Sequence, residues 1–141
     1  MLTQTQIALV QDTFALIAPI ADDAASLFYH RLFEIDPRLR PMFKGDMTDQ
    51  RRKLMQMLTA AVKGLNNIER LVPVVEDLGR RHAHYGVADE HYDTVGAALL
   101  WTLEQGLGRG FTPDVKDAWA TVYGVLASTM KAAAAKELAV V

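Results

Sequence analysis

Three polar side chains, Tyr29, Gln50 and His82, occupy positions where helical spacing predicts a core residue, and they are the only such departures in the sequence. A buried hydroxyl or amide needs a hydrogen-bond partner, because leaving one unpaired costs on the order of 1 to 3 kcal/mol. A neutral imidazole either hydrogen-bonds to a carbonyl or ligates a metal such as iron. The pattern therefore predicts either ordinary core residues or three side chains that share one bound group.

The histidine at position 82 continues the apolar stripe of its predicted helix. Leu71, Val75 and Leu78 lie eleven, seven and four residues before it, and all of these offsets return to nearly the same side of a helix. His84 lies two residues further on and points roughly the other way, which argues against one metal site held by both histidines. We expect His82 to face inward and His84 to lie at the surface.

The composition limits the class of protein and the partners that these side chains can belong to. The 141 residues are half hydrophobic and 23% charged, with a net charge of −2, which predicts one globular domain over 1–141 with no partner among nucleic acids or membranes. The absence of cysteine excludes disulfides and thiolate sites. The sequence has no secretory signal and no apolar run near about 18 residues, so we expect a cytoplasmic protein.

The elements that must position the polar residues are helices, because no sustained period-two alternation occurs. The class is all-α, with seven or so helices and a polar break from Lys44 to Asp49. The first expected helix starts at Thr3, where Thr3 and Gln6 form a capping box, and ends before Pro19, and the second follows Asp23 and ends before Pro37. A short turn or helix from Arg38 to Phe43 comes next. The remaining expected helices contain Leu54 to Leu65, run from about Glu69 to Ala83 with Gly86 as the stop, run from Asp89 to the turn at Gly106, and start at Thr112.

Five blocks of sequence carry a family resemblance in their order and spacing. They are FYHRLF at 28–33, RPMF at 40–43, LGRRHAHYGV at 78–87, HYDTVGAALL at 91–100 and FTPDVKDAWATVYG at 111–124. The chain resembles the bacterial single-domain globins and the globin domain of flavohaemoglobins, and it is similar to neuroglobin-type globins, over nearly its whole length. The resemblance implies the globin fold, a three-over-three helical sandwich around haem b (iron protoporphyrin IX).

The same resemblance implies roles for individual residues. His82 corresponds to the proximal ligand of the haem iron, Tyr29 to the distal tyrosine, and Phe43 to the aromatic side chain on the haem face. The distal residue of the next helix is Gln50 or Lys53, and we prefer Gln50 because it shares a stripe with the expected pocket residue Leu54. The haem would also contact apolar positions that are equally typical of plain core: Phe28, Leu78, Val87, Tyr92, Val95, Leu99, Tyr123 and Met130.

Two departures from the flavohaemoglobin pattern qualify the resemblance. Those globins pair the proximal histidine with a glutamate of the last helix, but the matching position here is Ala134, with Glu137 one turn later. A missing carboxylate partner weakens a peroxidase-like interpretation. The sequence also carries no flavin or nicotinamide domain, so we expect any turnover to need a separate reductase.

The functional expectation is reversible, high-affinity binding of oxygen, or of nitric oxide or carbon monoxide, for storage or scavenging. Tyrosine and glutamine donors near the iron would hold a ligand that gains negative charge. The alternatives are a nitric oxide dioxygenase that depends on an external reductase, a gas sensor, and a haem-free interaction module. Either a monomer or a homodimer is compatible with the sequence.

Overall fold

The computed structural model describes residues 2–139, which form α-helices and 3-10 turns with no strand among them. The helices are α1 (Gln4–Ile17), α2 (Ala21–Ile35), α3 (Met47–Gly64), α4 (Ile68–His84), α5 (Asp89–Leu107) and α6 (Pro113–Ala139). The 3-10 turns are Ala18–Ile20, Pro37–Met42, Leu65–Asn67 and Gly108–Gly110. None of the helices within these residues is long and apolar enough to cross a membrane.

The helix ends follow local capping chemistry. Thr3 and Gln6 form the expected capping box, in which each side chain accepts a hydrogen bond of 3.0 Å from the backbone nitrogen of the other. Helix α4 stops before Gly86, whose φ of +85° favours glycine. Helix α3 begins earlier than predicted, because Asp46 accepts a bond of 2.9 Å from the nitrogen of Thr48 and starts the helix inside the expected polar break.

Three pairs of helices account for most of the packing. Helix α4 packs mainly on α6, α2 on α5, and α1 on α6. At the crossing of α4 and α6 the backbones approach so closely that a Cβ added at Gly79 would lie 2.7 Å from the Cα of Met130. In contrast, α4 meets α3 only lightly. The polar residues Gln50 on α3 and His82 on α4 therefore lie on helices with little direct contact.

Candidate functional site

The hydroxyl of Tyr29 and the amide of Gln50 are hydrogen-bonded to each other. The Nε2 of Gln50 donates to the Oη of Tyr29 over 3.2 Å, between α2 and α3. Tyr29 is 6% exposed, and burial raises the pKa of its hydroxyl, although the bond from Gln50 lowers that pKa in part. Because Oη serves as the acceptor in this bond, the tyrosine proton is left to donate elsewhere.

Aromatic side chains surround this pair. The rings of Phe28 and Phe43 meet the ring of Tyr29 edge-on, with centroids 5.0 and 5.4 Å away, and the ring of Phe33 lies at 6.1 Å. The sequence analysis named Phe28 and Phe43 but missed Phe33, although its position one turn after Tyr29 on α2 was a usable signal. The Tyr29 hydroxyl therefore lies in apolar surroundings, where a hydrogen bond is stronger than in water.

Lys53 lies away from the buried hydroxyl. Its side chain is 64% exposed, and its Nζ lies 3.6 Å from a carboxylate oxygen of Asp49. Leu54 lies one turn after Gln50 and, with Phe28 and Leu99, lines a small apolar cavity of about 20 Å³. This geometry favours Gln50 over Lys53 as the polar residue that α3 contributes.

The imidazole of His82 makes one hydrogen bond, and that bond fixes the tautomer of the ring. The Nδ1 of His82 lies 2.8 Å from the carbonyl oxygen of Leu78, which can only accept, so Nδ1 carries the proton. Burial lowers the pKa of the imidazole more than this bond raises it, which keeps the ring neutral. Nε2, with its lone pair, has no hydrogen bond among residues 2–139. A neutral imidazole with a free Nε2 is a suitable iron ligand.

His84 has a different environment, as the spacing predicts. Its side chain is 66% exposed, and its Nε2 lies 3.3 Å from a carboxylate oxygen of Glu137. Ala134, one turn earlier on α6, is buried and carries no polar group. The carboxylate that could have served His82 thus contacts the neighbouring histidine instead. The only hydrogen-bond partner of the His82 imidazole among residues 2–139 is the carbonyl oxygen of Leu78 in its own helix.

Tyr92 carries a buried polar atom without a partner. The hydroxyl of Tyr123 donates to the carbonyl oxygen of Tyr92 over 2.6 Å, whereas the Tyr92 hydroxyl has no hydrogen bond within the described part of the chain. The ammonium of Lys131 lies 5.6 Å from the centre of the Tyr92 ring. Unpaired buried polar atoms are rare in folded proteins, and the Nε of Arg31 is the other one within the described part of the chain.

The apolar stripe of α4 is buried at its N-terminal end and only half-buried toward its C-terminal end. Leu71 and Val75 of α4 are buried, whereas Leu78 and His82 are not fully covered. Of the apolar positions predicted to contact a haem, those that are half-buried are Phe43, Leu54, Leu78, Val87, Val95, Tyr123 and Met130. Phe28, Tyr92 and Leu99 are buried.

These features fit an iron porphyrin. Helices α3 and α4 meet only lightly, the imidazole of His82 has a free Nε2, and the hydroxyl of Tyr92 has no partner among residues 2–139. No group of three metal-ligating side chains occurs among residues 2–139. A lone histidine suits an iron whose other equatorial ligands come from a macrocycle. The roles of the individual residues toward that group remain predictions.

Comparison with known proteins gives an independent result. A family model described as Globin matches residues 26–130. The flavohemoprotein of Bacillus subtilis (strain 168) is 31% identical over 132 residues, which are 90% of this chain and 33% of that protein. The chain therefore spans about a third of the length of this relative.

Two solved structures share the fold. The bacterial globin from Campylobacter jejuni is 27% identical with a TM-score of 0.82, covering 95% of this chain and 97% of its own. An engineered carbene transferase from Rhodothermus marinus, assigned as a nitric oxide dioxygenase, is 25% identical with a TM-score of 0.88, covering 99% and 98%. With the matching family model, these likenesses show that the chain belongs to the globin family and has the globin fold.

Proposed function

We propose that this globin is a single domain that binds haem b through Nε2 of His82 and reversibly holds oxygen against Tyr29 and Gln50. The observation that carries the proposal is the hydrogen bond from Gln50 to Tyr29 inside an aromatic shell. It aligns the tyrosine proton without an added ligand. The site is therefore preorganised to donate to a small ligand rather than to recognise a large one.

The chain's own residues account for ligand retention. Bound haem would supply an iron that can take a diatomic gas. The hydroxyl of Tyr29 would donate its proton to a ligand that gains negative charge, and the hydrogen bond from Gln50 would hold that hydroxyl in place. A hydrogen bond to a charged acceptor contributes roughly 1.5 to 3 kcal/mol, which corresponds to about ten- to a hundredfold slower release. We therefore expect high affinity, which suits storage or scavenging.

On the other side, His82 is oriented by the Leu78 carbonyl alone. A carbonyl acceptor holds the ring and fixes its tautomer, but it adds less electron density to the imidazole than a carboxylate does. Glu137 is held by His84, so it is not placed to supply that density. This arrangement supports reversible gas binding over oxidative activation of the ligand.

The test is the absorption spectrum of the purified protein in its ferric, dithionite-reduced and oxygenated forms. We expect a Soret band in all three forms and an oxygenated spectrum that persists for minutes. If no Soret band appears after haem is supplied to the folded protein, the proposal is wrong and the fold serves a haem-free role. If the oxygenated form converts at once to the ferric form, the proposed retention by Tyr29 is wrong.

A second candidate is nitric oxide dioxygenation, in which bound oxygen and nitric oxide give nitrate. The Rhodothermus marinus structure assigned to this activity and the flavohemoprotein relative support it. The name of the latter indicates that it carries both flavin and haem, and a flavin group could resupply electrons. Sustained consumption of nitric oxide in the presence of a reductase would favour the enzyme. A reaction that stops after one equivalent would favour the carrier.

A further inference from the structure

The loop at 85–88, which joins α4 to α5, is bonded to the backbone of His82. The backbone nitrogen of Val87 donates to the carbonyl oxygen of His82 over 3.0 Å. The backbone nitrogen of Gly86 donates to the carbonyl oxygen of Ala83 over 3.1 Å. A displacement of this loop therefore acts directly on the backbone of the residue that we propose as the iron ligand.

The other end of the loop is held by a histidine side chain. Ala88 precedes α5, and its backbone nitrogen donates to the Nδ1 of His91 over 2.9 Å. The backbone nitrogen of His91 in turn donates to the carbonyl oxygen of Ala88 over 3.0 Å. His91 thus occupies the helix position at which a glutamate or glutamine accepts this bond in a capping box. Because Ala88 has no polar side-chain atom, the ring of His91 supplies the side-chain bond at this end.

A histidine at this position differs from a glutamine because it titrates. The Nδ1 of His91 accepts from a backbone N–H, so it carries a lone pair and the proton lies on Nε2. Protonation of Nδ1 would place a second N–H against that of Ala88, and the bond would be lost. Histidine side chains in general change charge between about pH 5 and 8, whereas an amide does not. The bond is therefore present in mild alkali and lost in mild acid.

The charged ring has another partner available. Arg38 donates to both carboxylate oxygens of Asp36 over 2.9 and 3.0 Å. These bonds are the main reason that the pKa of the Asp36 carboxyl lies below its usual value, and the positive charge of His91 lowers that pKa further. Asp89 and Glu90 lie in the same helical turn as His91. The carboxylates outnumber the one guanidinium, so the surroundings attract a protonated ring away from Ala88.

We propose that His91 is a positioning residue whose neutral ring holds the loop behind His82, so that mild acid loosens the support of the proposed iron ligand. The inference rests on the proposed function, since it assigns His91 a role in haem retention. The contact between His84 and the carboxylate of Glu137 responds in the opposite direction, because protonation of His84 strengthens it. Loosening of the loop in acid thus depends on His91.

The first test measures the protection of the Ala88 amide against hydrogen exchange by NMR, in the haem-loaded, carbon monoxide form, at about pH 8 and about pH 5. Protection is expressed relative to an unstructured peptide at the same pH. In the unaltered protein we expect it to fall roughly three- to thirtyfold between the two conditions, as for loss of a side-chain cap. His91→Gln should keep the protection at both pH values, and His91→Ala should lack it at both.

The matched control is His30→Ala, which removes a histidine of α2 that is 73% exposed. This variant should show the same protection of the Ala88 amide, with the same pH dependence, as the unaltered protein. If the protection in the unaltered protein does not change with pH, or if His91→Gln loses it in acid to the same extent, the inference is wrong. Glutamine separates titration from packing because it can accept the bond without a charge change.

The second test measures the rate at which haem passes to an excess of a haem-free acceptor globin. At about pH 8, His91→Ala should release haem roughly threefold faster or more than the unaltered protein. At about pH 5 the two rates should converge, and His91→Gln should be the slowest. Comparison at one pH cancels the titration of groups that all variants share, such as His82.

The two readouts separate the hypotheses. Normal haem uptake with an amide of Ala88 whose protection ignores pH refutes the role of His91 alone. A folded protein that takes up no haem refutes the proposed function, and the positioning role with it, even if the amide of Ala88 shows the expected protection. Equal rates of haem release in all three proteins at both pH values would show that the loop does not support the iron ligand.

Discussion

The two sides of the proposed haem pocket satisfy their polar groups differently. On the side of α2 and α3, the amide of Gln50 and the hydroxyl of Tyr29 bond to each other. On the side of α4 and α5, the imidazole of His82 bonds only to a carbonyl of its own helix, and the hydroxyl of Tyr92 has no partner among residues 2–139. The polar side chains of the first side are paired with each other, whereas the second side has a free imidazole nitrogen and an unpaired hydroxyl.

The largest effect is expected when the imidazole of His82 is removed. We expect His82→Ala to lose haem or its normal axial ligation, because the variant lacks the imidazole whose free Nε2 is the proposed iron ligand. His84→Ala is the matched control and should retain haem, since His84 contacts Glu137 at the surface. The ratio of Soret to protein absorbance measures both. Equal haem content in the two variants would contradict the assignment of His82.

The next largest effect is expected on the side of α2 and α3, when the hydroxyl of Tyr29 is removed. We expect Tyr29→Phe to accelerate oxygen release about ten- to a hundredfold with haem retained, because one hydrogen bond to a negatively charged ligand is lost. Tyr85→Phe makes the same chemical change at an exposed position and should leave the rate unchanged. Stopped-flow displacement of oxygen by carbon monoxide gives the rates. A Tyr29→Phe rate equal to that of the control would show that the hydroxyl does not reach the ligand.

A third test addresses the packing that supports His82. We expect Gly79→Ala to lower the free energy of unfolding by about 1 to 3 kcal/mol, because its Cβ would meet the backbone of Met130. Gly124→Ala on α6 has open space around it and should be neutral or stabilising by up to about 1 kcal/mol. Urea unfolding of both variants decides the matter. A Gly79→Ala protein with an unchanged free energy of unfolding would mean that α4 and α6 can move apart with little loss of stability.

The smallest expected effect tests the unpaired hydroxyl. Tyr92→Phe should stabilise the haem-free protein by about 1 kcal/mol, because it removes a buried polar group that lacks a partner. The gain should shrink once haem is loaded if the hydroxyl then finds a partner. Thermal unfolding of both forms, with Tyr85→Phe as control, measures the difference. An equal rise in stability in the haem-free and haem-loaded forms would show that the Tyr92 hydroxyl does not find a partner when haem binds.

Sequence reasoning succeeded where the determinants are local. Periodicity predicted that His82 faces inward and that His84 lies at the surface, and the structure has His82 half-buried and His84 66% exposed, because helical spacing fixes which face each residue occupies. The capping box of Thr3 and Gln6 is equally local and was confirmed. These are consequences of bonds that span a few residues.

The sequence pattern could not predict contacts between residues that lie far apart in the sequence. The close contact of Gly79 with Met130 joins two helices far apart in sequence, so no local pattern marks it. The pairing of His84 with Glu137 depends on the same crossing. The start of α3 was misplaced for another reason: Asp46 looks like part of a polar loop until its side chain is seen to cap the helix.

The contact between Gly79 and Met130 has a consequence for biosynthesis. A ribosome releases the chain from its N-terminus, so α4 is finished before most of α6 has been made. His82 then lies on a helix that has no support, because its main packing partner is still being translated. The wall behind the histidine forms only after the segment around Met130 emerges. We therefore expect the proposed capture of haem to be a late event in the maturation of this chain.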